Sequence, residues 1–117
     1  MKVVLKKPGA AAELVSIRRM PDITKLIGGT PEACIKAGTE HGDLHFYCDE
    51  EFVAKNLAQN FARPTDGWII CGPVVVATWE YTKDGPDWAP LSPELAAEAL
   101  ALLAALGVES AKEADRG

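Results

Sequence analysis

The reactive-looking side chains of this chain crowd one stretch. "GDLHFYCDEEFVAKNLAQNFAR", residues 42–63, holds His45, Cys48, the acids Asp49, Glu50 and Glu51, two asparagines and Arg63, and His41 stands one residue before it. Histidines four apart match metal-ligand spacing on a helix. Gly42 and the strand-like "DLHFY" oppose a helix there. On a strand, Cys48 points away from His45, so one metal cannot easily collect all three. Solvated or hydrogen-bonded histidines are the simpler reading. A Cys/His nucleophile pair lacks the electropositive setting that makes a thiolate. The three acids could serve acid–base chemistry or hold a cation, but a capped helix start explains them as well.

The polar residues further on carry a binding hypothesis. If a helix follows Asp49, then Val53, Leu57 and Phe61 form its buried stripe, and Asn56, Asn60 and Arg63 fall at i, i+4 and i+7 on the other side. Such a ridge suits a protein partner, a carbonyl-rich ligand or a phosphate; the plain alternative is a solvated helix face. Tyr47 and His45 adjoin it on the preceding strand. Trp88, in the Gly/Pro-rich "TKDGPDWAP", either packs back on the domain or anchors a partner. The candidate binding residues are thus Asn56, Asn60, Arg63, Tyr47, His45 and Trp88, and none is assigned a catalytic role. Trp68 and Trp79 read as core or sheet-edge residues. No GxSxG, HExxH, CxxC, phosphate-loop or Rossmann pattern occurs, so nothing calls for a cofactor or a metal.

These residues need elements to hold them. "KVVLKK" and "ELVSIRR" read as a hairpin. "PDITKLIGG" reads as a short helix, with Pro21 in its first turn and Gly28 as its stop. "TPEACIKAG" is a strand with Ala33 and Ile35 alternating against Cys34 and Lys36. "DLHFYC" is its antiparallel neighbour, with Leu44, Phe46 and Cys48 on one face and Asp43, His45 and Tyr47 on the other. Asp49 then caps a helix ending near Arg63, because Pro64 disfavours helix before it. "GWIICGPVVVATWEY" reads as strand, interrupted at Gly72-Pro73 by a bulge, a kink or an edge position. "TKDGPDWAP" is a loop. Ser92 caps a last helix, with Pro93 at its first position and Gly107 past its end. The expected fold is α+β, with the order β-β-α-β-β-α-β-α. A largely antiparallel sheet of about five strands carries its helices on one face. One domain spans residues 1–107, and 108–117 form a charged, frayed tail.

Composition sets outer bounds. The chain has 117 residues, 48% hydrophobic and 25% charged, which fits one soluble domain with a real core. A net charge of −5, with scattered lysines and arginines, argues against nucleic acid as the direct ligand. Three cysteines cannot all pair within one chain, and buried free thiols in a reducing compartment fit them. The N-terminus is too short in apolar residues for a signal peptide, and "LAAEALALLAALG" is too short to span a bilayer. A cytoplasmic protein is expected.

The order of several pieces carries a resemblance. "MKVVLKKPG" with "ELVSIRR", the junction "LIGGTPEACI", "DLHFYCDEE", "AKNLAQNFAR" and "GWIICGPVVVA" together resemble the family filed as domain of unknown function 3846. That family comprises small proteins of phages, conjugative elements and their bacterial hosts. In it, a glycine and a loop often follow the two acids. Here Phe52 follows, and the segment reads as helix. The resemblance covers roughly residues 1–80. It implies an accessory protein of a phage or mobile element acting inside the host cell, and no activity. Two functions are weighed on this basis. The first is a non-enzymatic binder of a host or viral protein, or of a small ligand such as a nucleotide, in the service of counter-defence and assembled as a homodimer or larger oligomer. The second is a small hydrolase of a nucleotide or signalling molecule, supported only by the His45, Asp49 and Glu50 neighbourhood.

Overall fold

The computed structural model describes residues 1–19 and 21–116, and the side chains up to residue 106 apart from Met20. In chain order it has β1 (Lys2–Lys6), β2 (Glu13–Ser16), α1 (Asp22–Ile27), β3 (Pro31–Thr39), β4 (Gly42–Asp49), β5 (Gln59–Ala62), β6 (Ile69–Cys71), β7 (Val74–Thr82), β8 (Gly85–Ala89) and α2 (Pro93–Arg116). The main sheet runs β2-β1-β7-β4-β3, with β8 paired to β7. The strands β5 and β6 form a small sheet of their own. Every strand pair is antiparallel. The fold is therefore α+β with a mostly antiparallel sheet, as the sequence pattern implies.

The sheet is buried on both faces, because alternate residues of one strand feed opposite layers. Val4, Val74 and Val76 join Leu44, Phe46 and Cys48 under Leu95, Ala99 and Leu103 of α2. Val3, Leu5, Val75 and Ala77 join Tyr47 under Ile23 and Ile27 of α1. The two helices thus lie on opposite faces instead of sharing one. An uninterrupted apolar run such as "VVVA" is what a strand covered from both sides requires.

Local chemistry sets the ends of α1 as expected. Pro21 stands at its start. Gly28 closes it in the left-handed region at φ 82°, donating its N–H to the Thr24 carbonyl. Gly29 has a different reason to lack a side chain: a Cβ there would collide with the Asp49 carboxylate and Lys55 Nζ. The first helical turn of α2 is capped by Ser92, whose Oγ accepts the Leu95 N–H at 3.1 Å.

Five further expectations are corrected. The segment after Asp49 is not a helix. It makes turns through residues 50–56 and then enters β5, so the register that would bury Val53 with Phe61 does not exist. Val53 is 71% exposed, while Phe61 is fully buried. On β3, a bulge between Ala33 and Ile35 breaks the alternation, so Cys34 and Ile35 both pack on the α2 side. The run around Gly72-Pro73 is two strands in two sheets. Gly72 turns the chain at φ 80°, and β7 starts only at Val74. The "TKDGPDWAP" segment is a hairpin, not a loop: Trp88 pairs with Trp79 and Gly85 with Thr82. Finally, Gly107 does not end α2, which continues to Arg116. The expected frayed tail falls on residues 108–117, whose side chains lie outside the described residues, as does Gly117 altogether.

Candidate functional site

The candidate site grows from the α1 face of the sheet. α1 is only six residues long and covers part of that face. Beyond it, β4 presents Asp43, His45 and Tyr47, and β7 presents Ala77, Trp79 and Tyr81 by strand alternation. Register fixes their neighbours: His45 lies opposite Ala77, Lys36 opposite His45, and Trp88 opposite Trp79.

The aromatic groups interlock. Trp79 donates its indole N–H to the Tyr47 hydroxyl oxygen at 2.9 Å. Its ring lies 4.0 Å from that of Trp88, tilted by 31°. Trp88 meets Tyr47 edge-on at 5.1 Å, and His45 meets Trp79 edge-on at 6.2 Å. Such pairs stabilise beyond the area they bury, by about 0.5–1.5 kcal/mol each. Trp79 and His45, on one side of this cluster, also line a groove of about 520 Å³ together with Lys36, Gly42, Asp43, Tyr81 and Pro86, while Tyr47 and Trp88 brace Trp79 from behind. Tyr81 is 91% exposed and Trp79 37% exposed, so aromatic surface faces outward.

Charge in the groove is modest. Lys36 and Asp43 form an exposed ion pair at 3.8 Å across β3 and β4. Burial, together with the charge of Lys36, pulls the His45 pKa below its ordinary 6.5. Its imidazole is therefore neutral at pH 7, with one nitrogen donating and one accepting. Burial pushes the Tyr47 phenol up, so it stays protonated.

The structure brings three of the six expected site residues together: His45, Tyr47 and Trp88. It scatters the others, so the expected polar ridge is not assembled. Asn56 sits in an exposed turn with φ 55°. Asn60 is buried. Its amide donates to the carbonyls of Lys6 at 2.8 Å and Gly72 at 2.9 Å, and its carbonyl accepts from Lys6 Nζ at 3.0 Å. Arg63 is held by the Asp66 carboxylate, donates to the Cys34 carbonyl at 3.1 Å, and lies 4.9 Å over the Trp68 ring. Asn60 and Arg63 are thus consumed by tertiary structure.

Trp79, Tyr81, Lys36 and Asp43 were not singled out as site residues from the sequence. A signal existed: Trp79 and Tyr81 extend the alternation of Val75 and Ala77 past the point where apolar residues end. The cysteines are free thiols. The Cys34 thiol donates to the Phe46 carbonyl at 3.4 Å, and the neighbouring Cys48 thiol together with burial pushes its pKa up.

Comparison with known proteins gives one match. The family model described as "Domain of unknown function (DUF3846)" matches residues 1–104. No curated protein and no solved structure matches. A match over every strand and the first half of α2 settles membership: the chain belongs to the DUF3846 family.

Proposed function

We propose that this chain is a small binding protein that holds a planar ligand of nucleotide-like chemistry in the aromatic groove, as an accessory factor of a phage or mobile element. The observation that carries this is the groove lined by Trp79, Tyr81 and His45, with Trp79 held in place by the Tyr47 hydroxyl and the Trp88 ring. About 300–1,000 Å³ is the usual range for small-ligand sites, and this groove falls inside it. Aromatic faces stack planar rings at about 1–3 kcal/mol per base. Neutral His45 can read both donors and acceptors on a ring edge, and Lys36 at the rim can meet an anionic group. A single Lys at the rim of an acidic protein suits one small anion better than a nucleic-acid strand.

The test is calorimetry and tryptophan fluorescence of the whole protein against mononucleotides, cyclic nucleotides and uncharged nucleosides. Saturable binding is expected, weakened about tenfold or more by Tyr81→Ala, with Lys36→Ala affecting the nucleotides more than the nucleosides. Absence of saturable binding across the panel would overturn the proposal. Recovery of a chemically altered nucleotide by chromatography would replace binding with hydrolysis.

A further inference from the structure

A second cluster lies where the β3–β4 turn meets α2. Gly42 in that turn packs so close to α2 that a Cβ on it would stand 3.4 Å from Leu95 Cδ1. One helical turn on from Leu95 is Glu98, and the turn itself carries Glu40 and His41. One ligand atom from each of Glu40, His41 and Glu98 lies within 4.8 Å of the other two. We propose that these three side chains form a binding site for a divalent transition cation of the zinc class.

Three observations support the site. The His41 Nε2 to Glu40 Oε1 distance is 3.4 Å. Two ligands bonded tetrahedrally to one zinc at about 2.0–2.2 Å stand roughly 3.3–3.6 Å apart, so this pair already has the required spacing. Glu98 Oε2 is the one buried side-chain polar atom, among the described residues, without a hydrogen-bond partner. A sealed carboxylate oxygen with no donor is costly, and a cation at the cluster would offset that cost. Glu40 and Glu98 also set two carboxylates side by side, and among the described residues no lysine or arginine forms a salt bridge with either.

The donor set selects the ion. One imidazole nitrogen with two carboxylate oxygens suits zinc or its first-row neighbours. Magnesium and calcium take oxygen ligands, and calcium takes more of them than this cluster offers. Three protein ligands leave a further position for water or another small ligand. The ion would tie the turn, whose Gly42 and Asp43 also line the aromatic groove, to α2. Histidine spacing in the sequence pointed from His41 to His45. In the fold, the partners of His41 come from the adjacent acid and from a helix more than fifty residues away.

The experiment titrates zinc chloride into the full chain after chelator treatment, with calorimetry, thermal melts and zinc-edge X-ray absorption. One zinc per chain, a raised melting temperature and a nitrogen/oxygen shell without sulfur are expected, with little response to magnesium. His41→Ala and Glu98→Gln should each weaken zinc binding by about tenfold or more. If Glu98→Gln does not fold, Glu40→Gln reads the same site from a residue whose side chain is 80% exposed. No binding at 100-micromolar zinc (roughly the weak end of specific sites), unchanged affinity in the variants, or a sulfur shell from the cysteines would each overturn the site.

Discussion

Asn60 shows how a polar residue can be structural and not functional. Its three hydrogen bonds knit β1 to the Gly72 bend, and its carbonyl accepts from the buried ammonium of Lys6. Burial already pushes the Lys6 pKa down, so this ammonium depends on its acceptors. Asn60→Ala removes the amide donor to two carbonyls and one of two acceptors of the Lys6 ammonium, which keeps its 2.8 Å bond to the Lys7 carbonyl. We expect a loss of about 2–4 kcal/mol in urea unfolding, with no separate effect on ligand binding by the protein that stays folded. Asp49 makes a second structural contribution. Its carboxylate accepts from Lys55 at 2.7 Å and from the Glu51 N–H at 2.9 Å, and these bonds hold its pKa below the ordinary 3.8. A carboxylate depressed on folding stabilises fully above its unfolded pKa. That contribution fades as pH falls through the lower folded value. Asp49→Asn should therefore be less stable than the parent at neutral pH. The gap should narrow as urea melts are repeated below about pH 4. A gap that stayed constant down to the acid limit would disprove the ion pair's role.

At the scale of elements, the two glycines after α1 make separable demands. Gly28 needs a left-handed backbone in open space, whereas Gly29 needs room beside Asp49 and Lys55. Gly28→Ala should cost about 1 kcal/mol in chemical denaturation. Gly29→Ala should cost more, and unlike Gly28→Ala it should abolish the pH dependence that Asp49 supplies, because it displaces the ion pair. Most elements were legible because their signals are local: alternation in β4, Pro21 and Gly28 around α1, and the Ser92 cap of α2. Residues 49–63 misled for a physical reason. Asp49 does accept a backbone N–H two residues on, as a capping acid can, and Lys55 N–H bonds to the Glu51 carbonyl. One turn later Asn56 enters the left-handed region, and the bonds that draw the next residues into a strand come from β6 and Lys6, distant in sequence. The spacing of Val53, Leu57 and Phe61 contains none of that information. The groove was half legible for a similar reason: His45 on its wall follows from alternation, but Pro86 joins that wall, and Trp88 braces Trp79, only once the hairpin pairs.

At the scale of the molecule, one sheet serves two cores. Leu103 of α2 and Ile27 of α1 are both buried, on opposite sides of the same strands. Leu103→Ala and Ile27→Ala should each cost about 2–5 kcal/mol. Because the layers share β1, β4 and β7, each variant should still melt in one transition, and the double variant should be close to additive. Two resolved transitions in calorimetry would show that the faces unfold separately. Among the described residues, no helix is long and apolar enough to cross a membrane.

The indoles of Trp79 and Trp88 also give the molecule an internal optical gauge. At 4.0 Å their excited states must couple, so their circular dichroism should carry an exciton couplet that neither ring shows alone. Trp68, in another part of the fold beside Phe52 and Arg63, stands outside that pair. The couplet would report whether the β7–β8 hairpin is closed, on the unlabelled protein, while Trp68 emission follows the small sheet.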